Sequence, residues 1–201
     1  MDFNLSDEQL AFKKVLREFV EKEIKPVANQ YEKEGIYPTE IVKTMADMGL
    51  FGMTIPEEYG GLGMSYLELV VIAEELGRAC APVPFSSTVY LAAEAIMALG
   101  TEAQKQAWLP KFADGTAIGC FAMGEAGGRV TPDQMSTRMQ DGVLNGTKVP
   151  VADGGIANVA IVVCASEKGD GATLALVDLS QDAVSKDNVQ MIDFSRGHSE
   201  L

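Results

Sequence analysis

The sequence has 201 residues, of which 47% are hydrophobic, and a formal net charge of −13. This hydrophobic content is typical of a globular protein and excludes a largely disordered chain. The acidic excess argues against nucleic acid or anionic lipid as a partner, because both are bound through clustered Lys and Arg. The longest strongly apolar run, at 159–165, is far too short to cross a bilayer. We therefore expect neither a nucleic-acid partner nor membrane insertion.

The cysteines and the single histidine limit the chemistry further. Cys80, Cys120 and Cys164 lie far apart in apolar surroundings, without the CxxC spacing of a zinc site, which predicts buried thiols in a reducing compartment. His198 would have to serve alone in a catalytic triad or a histidine-ligated metal site, so we interpret it as an exposed loop residue. The N-terminal residues have neither the basic nor the apolar region of a signal peptide. These features predict a cytoplasmic protein.

The first 115 residues have the pattern of a series of helices. A run at 86–99 is apolar on nearly all sides and predicts a buried helix. Pro38 and Thr39 predict the start of another helix. Acidic residues on these helices are interpreted as mostly solvent-exposed, and none forms an evident acid–base pair. Three capping boxes mark helix starts: Ser6 with Gln9, Ser65 with Glu68, and Thr101 with Gln104.

After Gly115 the pattern changes to short β-type runs. The dipeptides Asp141-Gly142 and Asn145-Gly146 are typical of hairpin turns. The runs at 158–165 and 172–179 are rich in β-forming residues and are separated by a polar turn. No flexible linker divides the helical from the β part, so we expect the two to pack directly together. The pattern predicts an α+β fold.

The segment AIGCFAMGEAGGRVT, at 117–131, contains three glycines within five positions. Such a segment is either a cofactor loop or a turn between strands, and by itself it favours the turn. It is not a dinucleotide-binding fingerprint, because it lacks the GxGxxG spacing and strands follow it where a helix should begin. It is not a P-loop, because no Gly-Lys-Ser/Thr ends it.

Several longer stretches resemble the acyl-CoA dehydrogenase family in order and spacing. The resemblance implies an N-terminal all-α helical domain at 1–115 and a truncated middle β-barrel domain at 116–201. It further implies FAD as cofactor, an acyl-CoA substrate that is dehydrogenated at its α–β bond, and a homo- or hetero-oligomer. The stretches are IPEEYGGLGMSYLELVVIAEELGRACAPVPFSST (55–88), LGTEAQKQAWLPKFADGTAIGCFAMGEAGG (99–128) and LNGTKVPVADGGIANVAIVVCA (144–165).

The family's first flavin segment follows GCFAM and usually reads Thr-Glu-Pro, with Gly-Ser-Asp at the end of a run of small residues. Here Gly124 and Ala126 stand in place of the threonine and the proline. The Gly-Ser-Asp positions are occupied by Arg129, Val130 and Thr131. The side chain of Val130 cannot supply the hydroxyl that the family places at the pyrophosphate.

The family's second flavin segment, Lys-x-Trp-Ile-Thr-Asn, corresponds to 148–153. Pro150 replaces the tryptophan that packs on the flavin, and Ala152 replaces the threonine that hydrogen-bonds to it. Backbone amides of the first segment can still serve a flavin, but the replacements slightly favour a degenerate or non-flavin site over a working, weakened one. The cofactor-binding positions that it implies are Phe121, Met123, Gly124, Val130 and Ala152.

The sequence ends in MIDFSRGHSEL, which falls within the family's middle domain. We therefore expect the last strands and the C-terminal helical bundle to be absent, and apolar helix faces around 70–73 and 90–97 to lack a cover. The family's catalytic base is a glutamate of that bundle, and none here takes its place, since Glu125 belongs to the loop and Glu74 and Glu75 to a helix. Two interpretations remain: part of an FAD-dependent acyl-CoA dehydrogenase, or a non-catalytic subunit of a heteromeric one.

Overall fold

The computed structural model describes residues 4–128, 131–167 and 171–201. Within these ranges the N-terminal part is helical. Two π-helical segments (Val20–Ile24 and Ser86–Ala93) and two short 3-10 turns accompany the α-helices. No described helix is long and apolar enough to cross a membrane. The α-helices are α1 (Asp7–Phe19), α2 (Lys25–Glu34), α3 (Thr39–Asp47), α4 (Tyr66–Arg78), α5 (Glu94–Leu99) and α6 (Glu102–Ala113).

All three predicted capping boxes are confirmed, at the starts of α1, α4 and α6. At α1 the hydroxyl of Ser6 accepts from the amide of Gln9 at 3.2 Å, and the Gln9 side chain accepts from the Ser6 amide at 3.0 Å. Such bonds satisfy amides that lack a partner within the helix, and so they fix where each helix begins.

The described residues of the C-terminal part form two sheets. In the first, β5 pairs with β6 antiparallel along one edge and with β1 and β2 parallel along the other, and β3 extends β2. The second is antiparallel, in the order β4-β8-β7. The strands are β1 (Gly119–Ala122), β2 (Arg138–Gln140), β3 (Val143–Asn145), β4 (Val151–Ala152), β5 (Val159–Ala165), β6 (Ala172–Asp178), β7 (Asp187–Val189) and β8 (His198–Glu200).

Helices followed by sheets confirm the predicted α+β class. Within the described residues the two sheets do not close into a barrel.

The helical and β parts share one core. Every residue of β5 is buried. Ala160, Val162 and Cys164 belong to one apolar cluster and Val159 and Ile161 to another, and both clusters contain helical residues. β1 lies directly on the π-helical segment Ser86–Ala93, and a methyl group at Gly119 would lie 2.4 Å from Cβ of Ala92 and 2.9 Å from the ring of Phe112. Only glycine permits so close an approach. The expectation of direct packing between the two parts is confirmed.

The two predicted hairpin turns differ in outcome. Asp141 and Gly142 join β2 to β3 with positive φ angles of 50° and 74°, as a tight hairpin requires. The prediction for Asn145-Gly146 is wrong, because Asn145 is still paired within β3. Gly146 instead lets the chain pass closely over Thr137, where a Cβ would lie 2.4 Å from the threonine hydroxyl.

Two predictions of burial are also wrong. Cys80 is exposed just beyond α4, with a positive φ of 47°, whereas Cys120 and Cys164 are buried as expected. His198 is not an exposed loop residue but is half-buried in β8, where its Nδ1 lies 3.1 Å from the carbonyl oxygen of Arg196. Its place in the strand follows from the pairing of β8 with β4, which no local pattern announces.

The helix faces that were expected to lack a cover are largely covered by the chain itself. Ile72 and Ala93 are fully buried, and only scattered members such as Val70 and Leu91 are exposed. Most of the apolar residues at 70–73 and 90–97 are thus buried or partly buried within the core that the helical and β parts share, and not left exposed as predicted.

One acidic helical residue is an exception to the expectation that these residues mostly face solvent. Glu75, on α4, has a side chain only 1% exposed and accepts two hydrogen bonds from the guanidinium of Arg17 on α1, at 2.7 and 3.0 Å. Arg78 lies 3.3 Å from the same carboxylate. The hydrogen bond from Arg17 outweighs burial and lowers the pKa of Glu75. This cluster joins α1 to α4.

Candidate functional site

The candidate cofactor loop begins where β1 ends, and the structure describes it from Met123 to Gly128; we refer to it as the 123–128 loop. The side chain of Met123 is 46% exposed, so it lies at the surface of the loop. Phe121, by contrast, points into the core and packs beside Met135 and Val163. Phe121 is therefore a partly buried packing residue under the loop, whereas Met123 presents its side chain to solvent.

Gly124 lies against the neighbouring segment of the chain. The amide of Val149 donates to the carbonyl oxygen of Gly124 at 3.0 Å, and a Cβ on Gly124 would lie 2.9 Å from the carbonyl oxygen of Val149. A threonine here would need a backbone shift. Gly124 can therefore offer a ligand its backbone and no side chain.

The second segment likewise offers no side-chain hydrogen-bonding group at its two key positions. Pro150 has neither an aromatic ring nor a backbone N–H, and Ala152 lies in β4, half-buried and paired with His198. Among the described strands β4 pairs with β8 alone, at the edge of its sheet. Val130, with its neighbour Arg129, falls outside the described residues.

The principal feature that sequence reasoning missed is a buried ion pair beneath the 123–128 loop. Nζ of Lys148, 2% exposed, lies 2.8 Å from Oε1 of Glu125, 6% exposed. The carboxylate also accepts from the amide and hydroxyl of Ser136, at 2.7 and 2.6 Å, and from the amide of Thr137 at 3.0 Å. Burial alone would raise the pKa of Glu125, but these hydrogen bonds outweigh it and hold the pKa well below its usual range.

A second polar cluster joins the β part to the helical part just beyond β4. The hydroxyl of Ser87 donates to the carboxylate of Asp153 at 2.5 Å, and Arg196 forms an ion pair with the same carboxylate. Arg196 also donates to Ser86 at 2.5 Å and to Ser87. The cluster borders an open cavity of about 440 Å³ that Tyr37 also lines. Burial and the charge of Asp153 raise the pKa of Tyr37, which keeps its phenol protonated.

The chemistry available at the loop is limited. Among the described residues no group of three His, Cys, Asp or Glu side chains could hold a metal ion. The carboxylate of Glu125 is saturated with donors and has a lowered pKa, so it is a poor general base. At the described positions a flavin would be held through the backbone of Met123 and Gly124, since neither Gly124 nor Ala152 has a side chain that can hydrogen-bond. A flavin at these positions would therefore depend on backbone groups.

Comparison with known families decides the relationship. Residues 6–116, more than half of the chain, match the family model for the acyl-CoA dehydrogenase N-terminal domain. The chain belongs to the acyl-CoA dehydrogenase family. Among its relatives is the acryloyl-CoA reductase (NADH) of Anaerotignum propionicum, 38% identical over 178 residues, which cover 85% of this chain and 45% of that protein. The human mitochondrial short-chain specific acyl-CoA dehydrogenase is 37% identical over 160 residues, or 76% of this chain and 38% of that protein.

Solved structures of the family agree with this fold. A glutaryl-CoA dehydrogenase in complex with glutaryl-CoA matches all of this chain and 54% of its own, with a TM-score of 0.91 and 30% identity. The Mycobacterium smegmatis glutaryl-CoA dehydrogenase in complex with FADH2 matches 98% of this chain and 52% of its own, with a TM-score of 0.82 and 27% identity. The chain spans about half the length of the family members that it matches.

Proposed function

We propose that this chain is part of a cytoplasmic, FAD-dependent protein that acts on the α–β bond of an acyl-CoA thioester. In this proposal residues 1–115 are the helical domain and 116–201 the beginning of the middle domain. The observation that carries it is the match of all of this chain to a glutaryl-CoA dehydrogenase in complex with glutaryl-CoA. Relatives named as dehydrogenases and as a reductase both act on acyl-CoA thioesters by name, which supports the substrate class and leaves the direction open.

Bound FAD would supply the acceptor for the hydride that leaves the β-carbon. We assign FAD binding in this chain to the backbone of Met123 and Gly124, with Phe121, Val130 and Ala152 around them. No residue of this chain is assigned the role of the base that removes the α-proton. Glu125 is unsuited to it, because its carboxylate is buried and already accepts from Lys148 and the 136–137 segment.

The cofactor assignment is tested by restoring a lost hydrogen bond. The variant Ala152→Thr places a hydroxyl where the family has one, and a single hydrogen bond contributes about 0.5–1.5 kcal/mol, or roughly a 2- to 13-fold gain in FAD affinity. Titration of the purified protein with FAD measures the change. The matched control is Ala172→Thr, an exposed position in β6. Equal FAD affinity for the parent and both variants would contradict the assignment.

A second candidate function is that of a non-catalytic subunit of a heteromeric acyl-CoA dehydrogenase. The observation that favours it is the absence of a side-chain donor at Gly124, Pro150 and Ala152. Such a subunit would complete the assembly while another chain holds the flavin and the base. It predicts no turnover of any acyl-CoA with an artificial electron acceptor by this chain alone. Turnover above a control without protein would contradict this second candidate.

A further inference from the structure

The 123–128 loop lacks flavin-contacting side chains, but a buried ion pair, Lys148 with Glu125, holds its backbone in place. Lys148 and Glu125 match the lysine and the glutamate of the two family segments, whereas the contacting positions around them do not. Both side chains are almost completely buried. Burying two charges is costly, and a well-packed apolar pair often stabilises a fold at least as well. Stability alone therefore does not explain why the chain has an ion pair here.

The contacts of Lys148 explain what the pair does. Its ammonium group donates to the carbonyl oxygen of Met123 at 3.1 Å and to the carboxylate of Glu125 at 2.8 Å, so it hydrogen-bonds to two residues of the loop. Its own backbone is paired in both directions with Leu201, at 2.9 and 3.0 Å. The next residue, Val149, donates to Gly124. One lysine thus ties the loop to the strand-like segment at the end of the described chain.

Glu125 connects the same lysine to the segment at 136–137, which follows the 123–128 loop in the chain. Its carboxylate accepts the amides of Ser136 and Thr137, where the chain returns towards β2. Its own carbonyl oxygen accepts from the amide of Gly128 at 3.1 Å, which closes a tight turn within the loop. The entrance and the return of the loop therefore meet at one buried carboxylate.

We infer that Lys148 and Glu125 are positioning residues whose buried ion pair fixes the backbone of Met123 and Gly124 for a ligand. The ligand half of this inference rests on the proposed function, in which the ligand is FAD. When side chains no longer bind, affinity depends on backbone groups that are already in place, because a loose loop must be ordered at the moment of binding. The pair supplies that order in advance.

The test uses Lys148→Met, which keeps the length of the side chain and removes its charge, and Glu125→Gln, a second variant in case the first does not fold. Glu75→Gln is the matched control, since it neutralises a buried carboxylate in a different ion pair, the one between Arg17 on α1 and Glu75 on α4. Hydrogen exchange is measured without ligand in peptides covering 123–128 and 131–137, with β5 as an internal reference. FAD affinity is measured on the same proteins.

We expect exchange in the two loop peptides to be at least tenfold faster in the Lys148 and Glu125 variants, with β5 unchanged, and FAD affinity to fall at least tenfold. The control should change neither the loop peptides nor FAD affinity. Unchanged loop exchange in both variants, or equally fast loop exchange in the control, would overturn the inference. A third outcome is faster loop exchange in both variants together with no FAD binding by any of the proteins, including the parent. This outcome would support the positioning role of the ion pair and overturn the cofactor assignment.

Discussion

The contact between Gly119 and Ala92 allows a sharp test of how the two parts of the chain fit together. The variant Gly119→Ala places a methyl group 2.4 Å from Cβ of Ala92 and 2.9 Å from the ring of Phe112. Overpacking of a buried site usually costs about 1–3 kcal/mol. For a protein of this size the expected fall in melting temperature is roughly 2–4 °C per kcal/mol. Urea unfolding at fixed pH measures the free energy directly.

The double variant Ala92→Gly/Gly119→Ala gives the decisive result. Ala92→Gly alone should cost about 1 kcal/mol, because glycine weakens a helix. Ala92→Gly also removes the closer of the two clashes. The loss of unfolding free energy in the double variant should therefore be smaller than the sum of the losses in the two single variants, by about 1 kcal/mol or more. The control Gly77→Ala, on α4 with no atom within 4 Å of the added Cβ, should be stabilised by about 0.5–1 kcal/mol. Strict additivity, or a Gly119→Ala protein as stable as the parent, would refute this packing.

Two further predictions concern titratable groups. Because Arg17 lowers the pKa of Glu75, the stability that this carboxylate contributes is present above its unfolded pKa of about 4.3 and is lost as the pH falls through its lower folded pKa. Urea midpoints should therefore fall more steeply below about pH 4 in the parent than in Glu75→Gln, and parallel curves would contradict the ion pair. In the native protein a thiol reagent should modify Cys80 rapidly and spare Cys120 and Cys164, since burial raises the pKa of Cys120 to about 12. Rapid modification of all three thiols without denaturant would show that the core is open.

Local signals in the sequence predicted local structure well. A capping box such as that of Ser6 and Gln9 spans four residues and is decided by its own hydrogen bonds, so its position could be predicted. Asp141-Gly142 could be predicted because only such residues adopt the required backbone angles easily. Asn145-Gly146 carries the same signal, but strand pairing and the close approach to Thr137 decide its conformation.

Long-range partners explain what the sequence could not predict. Glu125 and Lys148 are 23 residues apart, and Arg17 and Glu75 are 58 apart, so neither ion pair has a periodic pattern. The cofactor-binding positions came from the family resemblance, and they remain a prediction. That resemblance identified which side chains were replaced, but it could not show that Gly124 has no room for a side chain because it lies against Val149.

The retention of FAD by the unmodified chain tests most directly whether its flavin site depends on the backbone alone. Each lost hydrogen bond weakens binding by about 0.5–1.5 kcal/mol, so the replacements at Gly124 and Ala152 together should lower the affinity roughly 5- to 150-fold, before the lost aromatic contact at Pro150 is counted. The measurement is equilibrium dialysis of the purified chain with FAD, followed by flavin absorbance per mole of protein. We predict far less than one FAD per chain after dialysis against buffer. A yellow protein that keeps one FAD per chain would contradict a site that binds through its backbone alone.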